Sequence, residues 1–163
     1  MTAKAIIEKF NLEEHVEGGY FCRTYCSQDS ISTKRDGDSR PIMTTIYYML
    51  TSERPISFFA VNESDLILFY QSGSPITIHL INQQGELESH VLGPDVTQGQ
   101  VPQLIAPGGC WKAYELKQGE YCLMSEAVSP GFDYRDMAMP TMQDLKAQYP
   151  QLVERCAQFM HLD

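Results

Sequence analysis

Between Tyr20 and Val128 the chain is a succession of short β-branched and aromatic runs, cut every few residues by Gly, Pro, Asn or Asp, with no helical pattern between them. Strands spaced this closely leave no room for crossover helices, so they pair antiparallel and close into a sandwich or barrel. The runs predict strands near residues 20–26, 41–51, 55–61, 66–71, 75–81, 86–92, 101–106, 110–116 and 120–128. Pro41, Pro55 and Pro75 each open a run, where a missing ladder donor is tolerated. The flanks read differently. Thr2 can cap a helix with Ala3, Ile6, Ile7 and Phe10 on one face. Thr141 and Asp144, three apart, form a capping-box start, followed by Met142, Leu145 and Tyr149 and then Leu152, Val153, Cys156, Phe159 and Met160. The fold class expected is mainly β with short terminal helices. It is one domain over 1–163, with a helix in 1–12, a β-barrel over 15–136 and helices over 141–160.

One hairpin is read in register. A four-residue loop, Asn82 to Gly85, pairs Ile81 with Glu86, His79 with Glu88 and Ile76 with Val91. Ile76, Ile78, Leu80, Leu87 and Val91 then face the core, and Thr77, His79, Glu86, Glu88 and His90 the other side. On this reading His79 and His90 lie on a solvated strand face, which is preferred to a surface metal site shared with Glu88.

With 12 basic against 21 acidic residues, a net charge of −9 and a pI near 4.8, nucleic acid is not an expected partner. No segment is apolar for long enough to span a membrane. Five cysteines, an odd count with no Cys-x-x-Cys pair, and an early charged N-terminus suggest reduced thiols and a cytoplasmic location. Cys22 and Cys26 alternate in phase on one strand and read as packing. Phosphate loops, Gly-x-Ser-x-Gly elbows and His-Glu-x-x-His helices do not occur.

Three segments stand out. In His15-Val16-Glu17-Gly18-Gly19-Tyr20, two glycines run into a strand. His15 and Glu17 are either a proton-transfer pair or residues that only shape the turn, and the structural reading is preferred. Pro107-Gly108-Gly109-Cys110-Trp111 turns tightly before the single tryptophan, which is either core or a stacking wall. Ser129-Pro130-Gly131-Phe132-Asp133-Tyr134-Arg135-Asp136 is a polar-aromatic loop suited to cover a pocket mouth.

Glu17-Gly18-Gly19-Tyr20, Thr45-Ile46-Tyr47-Tyr48, Gly73-x-Pro75, Pro102-Gln103 to Pro107-x-Gly109-x-Trp111, and Pro130-Gly131-Phe132-Asp133 fall in one order. In that order they resemble the functionally uncharacterised fifth family of the cupin superfamily, from about His15 to Tyr149. The resemblance implies a cupin double-stranded β-helix, a jelly roll similar to that of sugar-nucleotide epimerases, commonly dimeric. The wider cupin metal motif, laid on this chain by spacing, puts Phe59, Val61, Leu66 and Lys112 where the His and Glu ligands would stand, with Leu116 at the Asn position and Glu53 at the first Gly. Members of the fifth family often carry a histidine and an Asp-Glu pair. This chain has Ser57-Phe58-Phe59-Ala60 and Asp65-Leu66 there. None of the ligand positions holds a residue that replaces His or Glu, so no metal and no cofactor are expected, and a metallo-dioxygenase is rejected.

The sequence therefore points to a metal-free cupin that binds a small molecule, a sugar derivative or organic acid, and forms a homodimer. The alternatives are a metal-independent sugar-nucleotide epimerase or isomerase, and a non-catalytic scaffold with a filled barrel. The interior is expected to be apolar and aromatic. Tyr20, Arg23, Tyr47, Ser57, Phe59, Phe69, Gln103 and Trp111 are the expected ligand-binding residues, with Phe59, Phe69 and Trp111 as walls. Arg23 can grip a carboxylate or phosphate through two parallel bonds.

Overall fold

Alternation along the strands sorts this sequence into an inner and an outer set of side chains, and two sheets close around the inner one. A computed structural model describes residues 2–161. In chain order the elements are helix α1 (Ala3–Phe10), β1 (Glu13–Glu14), β2 (Tyr20–Cys26), β3 (Ser30–Ser32), β4 (Ser39–Pro41), β5 (Thr44–Thr51), β6 (Ile56–Asn62), β7 (Asp65–Gly73), β8 (Ile76–Ile81), β9 (Leu87–Leu92), β10 (Gln103–Ala106), β11 (Trp111–Glu115), β12 (Tyr121–Ser129), β13 (Met137–Ala138), α2 (Met142–Gln148) and α3 (Val153–Cys156). One sheet runs β1-β2-β5-β12-β7-β10 and the other β13-β6-β11-β8-β9, with β3 and β4 as a separate ribbon. All strand pairs are antiparallel. This is the mainly β jelly roll with short terminal helices.

The barrel interior holds Tyr48, Leu50, Leu66, Leu68, Ile76, Ile78, Tyr114 and Met124. Two further cores lie outside it. Helix α1, capped by the Thr2 hydroxyl, seats Ile6 against Met49 and Leu123 on the outer face of the first sheet. The chain from α2 onward seats Leu145, Leu152, Cys156 and Phe159 against Phe59, Ile81, Trp111 and Ala113 on the outer face of the second. The Thr141 and Asp144 capping box forms as its spacing requires. Among the described residues no helix is long and apolar enough to cross a membrane.

The β8–β9 hairpin departs from the expected register by one residue: Ile81 pairs with Leu87, His79 with Ser89 and Ile76 with Leu92. The loop closes on a bond from the Asn82 N–H to the Glu86 carbonyl, and Gly85 takes a φ of +79°, so three residues turn the chain instead of four. Leu87 therefore joins the outer core, and Leu92 replaces Val91 in the barrel. His79 is not solvated. It is 8% exposed, because the C-terminal segment covers this face and Phe159 stacks on its ring at 4.6 Å. Its nitrogens contact Ser89 Oγ at 2.9 Å and Glu115 Oε2 at 3.1 Å. His90 points elsewhere, toward Glu88 at 3.1 Å, so the two histidines share no site.

Candidate functional site

A cavity of about 450 Å³ opens into the barrel, walled by Phe21, Ile46, Leu66, Val128 and Phe132. That volume is within the range of small-ligand sites. Its floor is polar, which corrects the expectation of a purely apolar and aromatic interior.

The polar groups arrive from three directions. Gly18 and Gly19 have φ of +104° and +65°, and a Cβ on Gly18 would collide with the Ile56 carbonyl. Glycine lets the chain cross β6 at contact distance and turn His15 and Glu17 inward. The Tyr48 hydroxyl fixes this crossing by donating to the Gly18 carbonyl at 2.6 Å. From β11, Lys112 reaches in because its neighbours Trp111 and Ala113 face the C-terminal segment. From β12 comes Glu126, in phase with Met124 and Val128.

Glu17 and Lys112 form a buried ion pair, Nζ to Oε2 at 2.9 Å, with both side chains 4% exposed. The Lys112 ammonium also lies 4.9 Å from the Tyr114 ring centroid. Burial pulls the Lys112 pKa down, but Glu17 and Glu126 together outweigh it and leave it above the ordinary lysine value. The Glu126 carboxyl is raised by burial, against the pull of Lys112. The Tyr114 hydroxyl neighbours Glu126, yet it, Glu126 Oε1 and Asn62 Oδ1 have no hydrogen-bond partner. Buried polar atoms left unpaired cost about 1–3 kcal/mol each. Asn62 and Glu126 both line the cavity, where a ligand would satisfy them. His15 Nδ1 accepts from the Glu17 backbone N–H at 3.1 Å, so the neutral ring carries its proton on Nε2. Burial lowers the His15 pKa and favours that neutral form.

The rim is the 129–136 loop, with Phe132, Asp133 and Tyr134 at the cavity. It is held by Thr44 Oγ1, which accepts from the Phe132 N–H at 2.9 Å, and by Ser64 Oγ, which donates to the Pro130 carbonyl at 2.7 Å. At its end, buried Asp136 takes two bonds from Arg40, at 2.6 and 2.9 Å, and one from Arg35 at 3.0 Å.

Of the eight residues expected to bind ligand, only Arg23 lines the cavity. Ser57 faces inward, paired with Tyr114, but is fully buried beside the Tyr48 hydroxyl. Phe59 and Trp111 belong to the outer core, against Phe159 at 5.8 Å and Tyr149 at 5.1 Å. Tyr20 and Tyr47 face outward beside α1, Tyr47 against Phe10 at 5.1 Å. Phe69 and Gln103 pair across β7 and β10, in phase with outward Ile67 and Ile105 and out of phase with inward Leu68 and Leu104. They do not form an aromatic wall, because strand alternation gives the inner face to their neighbours. His15 and Glu17, preferred as shapers of the turn, do both: they make the turn and line the cavity. Glu126 and Asn62 were missed. Glu126 carries a readable signal, a charge in phase with the apolar residues of a long strand.

Two of the four residues at the cupin ligand positions, Leu66 and Lys112, face the cavity, whereas Phe59 and Val61 belong to the outer core or pack against it. Among the described residues no three His, Cys, Asp or Glu side chains converge to hold a metal ion. Lys112 moreover sets a fixed cation among the cavity's carboxylates. This donor set does not fit a divalent ion.

Comparison with known proteins agrees with this architecture. An uncharacterized protein of Saccharomyces cerevisiae is 35% identical over 148 residues, 83% of this chain and 73% of the yeast protein. The structure of a hypothetical protein from Leishmania major superposes with a TM-score of 0.92 at 30% identity, covering 99% of this chain and all of the other. A cupin 2 domain-containing protein from Halorhodospira halophila shares the fold alone, with a TM-score of 0.52 at 13% identity over 93% of this chain and 88% of its own. The family model described as Cupin superfamily (DUF985) matches residues 4–140, and the chain belongs to that family.

Proposed function

We propose that this protein binds a small polar organic molecule in the barrel cavity without the aid of a metal ion. The observation that carries the reading is the buried, unpartnered amide oxygen Asn62 Oδ1, together with Glu126 Oε1, which has only the Tyr114 hydroxyl near it and closes no full hydrogen bond, at a cavity of ligand size. Such groups are normally satisfied, and a bound hydroxyl, carbonyl or carboxyl group would complete them. A thermal-shift screen of sugar derivatives and organic acids tests it, with Glu126→Gln and Asn62→Leu as controls. A hit whose shift shrinks in both variants supports the reading, and a hit indifferent to both contradicts it.

A second reading, proton transfer on the bound molecule, is favoured by Glu126. Its carboxyl is buried, raised in pKa and beside the Tyr114 hydroxyl, with neutral His15 also at the cavity. A base tuned upward with a neighbouring acid is what abstraction beside a carbonyl requires. Exchange of ligand C–H protons in D₂O, followed by NMR, tests this: exchange is expected with the native protein and lost in Glu126→Gln. Absence of exchange with a saturating ligand leaves the protein a binder.

A further inference from the structure

The unspent hydrogen-bonding groups of the cavity are mostly donors. Lys112 gives one of its three N–H groups to Glu17, and the other two are free. His15 spends Nδ1 as an acceptor, so Nε2–H remains to donate. Arg23 lines the cavity and makes no ion pair among the described residues. The acidic residue at the rim, Asp133, is held by Arg135 at 2.8 Å and does not neutralise it. Against these stand the acceptors Asn62 Oδ1 and Glu126 Oε1, with the second Glu126 oxygen and Glu17 Oε1, since Glu17 spends only Oε2 on Lys112. The Asn62 amide returns donors of its own. The walls between are hydrocarbon: Phe21, Ile46, Leu66 and Val128.

A neutral polyol would leave the Arg23 guanidinium at the cavity without a counter-charge, which a carboxylate supplies through two parallel bonds. A carboxylate or carbonyl brings acceptors only. We propose that the ligand is a small organic acid with a second acceptor group, an oxo acid or a dicarboxylic acid. One carboxylate sits on the Arg23 fork, and the inner oxygens take the Lys112 and His15 hydrogens. This rests on the cavity being a ligand site and chooses between the ligand classes the site admits.

The test is calorimetric titration of the full chain with 2-oxoglutarate, pyruvate and succinate on one side, and with glucose, xylose and myo-inositol on the other. Acids are expected to bind and neutral polyols not. Arg23→Gln, at an exposed position that does not endanger folding, should weaken acid binding at least 10-fold, and Arg23→Lys should restore part of it. Polyol binding without acid binding overturns the acid assignment and leaves the cavity reading standing. Acid affinity unchanged in Arg23→Gln overturns the proposed seating. Failure of both classes to bind overturns the acid assignment together with the cavity reading.

Discussion

A lysine on the inner face of a closed barrel keeps its charge only where carboxylates repay its lost hydration. At Lys112 that is Glu17 in contact and Glu126 nearby. Removing one partner strands the other, so Lys112→Met should lower the unfolding free energy by about 3–5 kcal/mol. The Glu17→Gln, Lys112→Met double variant should recover much of this loss in urea titrations. A single-variant loss under about 1 kcal/mol would mean that the charges are hydrated. Glu126 gives a signed pH effect. Its folded pKa lies above the unfolded value of 4.5, so the native state binds the extra proton and stability falls as pH rises through and beyond that value. Glu126→Gln removes this titration, and its stability relative to the native chain should grow from pH 5 to pH 8. A constant difference would contradict a raised pKa. None of these roles was legible from residue type alone. Lys112 reads as a poor metal ligand in sequence, and its inward direction follows only once Trp111 is known to face the other way.

The elements were the most legible level. All nine runs became strands, β2 and β5 through β12, because hydrophobic alternation and Gly/Pro punctuation agree along them. The unforeseen strands, β1, β3, β4 and β13, are two or three residues long and carry no period to read. What alternation could not supply was which outer face is covered. The C-terminal segment decides that for the second sheet, burying Trp111, Phe59 and His79 and turning an expected pocket wall into core. Trp111→Ala should therefore cost about 3–5 kcal/mol in equilibrium unfolding, with ligand affinity in the cavity unchanged. A small stability loss with weakened binding would return Trp111 to the pocket. Replacing the capping hydroxyl in Thr141→Ala should cost about 1 kcal/mol. At the rim, Asp136→Asn should speed amide hydrogen exchange at Phe132, whose N–H is bonded to Thr44, since Arg40 and Arg35 then lose the charge that holds the loop end.

On the scale of the whole molecule, the net charge of −9 is absent from the middle of one surface, between helix α1 and Asp65. Across the outer face of the first sheet run the rows Thr45-Ala127-Ile67-Ile105 and Tyr47-Ser125-Phe69-Gln103, with no ionisable group except the Tyr47 hydroxyl. Two copies of an acidic chain repel elsewhere and can approach here, and we propose this face as the homodimer surface. Light scattering should give twice the 18.5 kDa chain mass, and Phe69→Lys should halve it. A native monomer would contradict this. The account as a whole turns on the barrel cavity, and amide chemical-shift mapping of a ligand taken from the thermal-shift screen tests it most directly. The expected shifts centre on His15, Glu17, Ile46, Lys112 and Glu126. Shifts confined to the outer faces, around Phe69 and Gln103 or around Trp111, would contradict it.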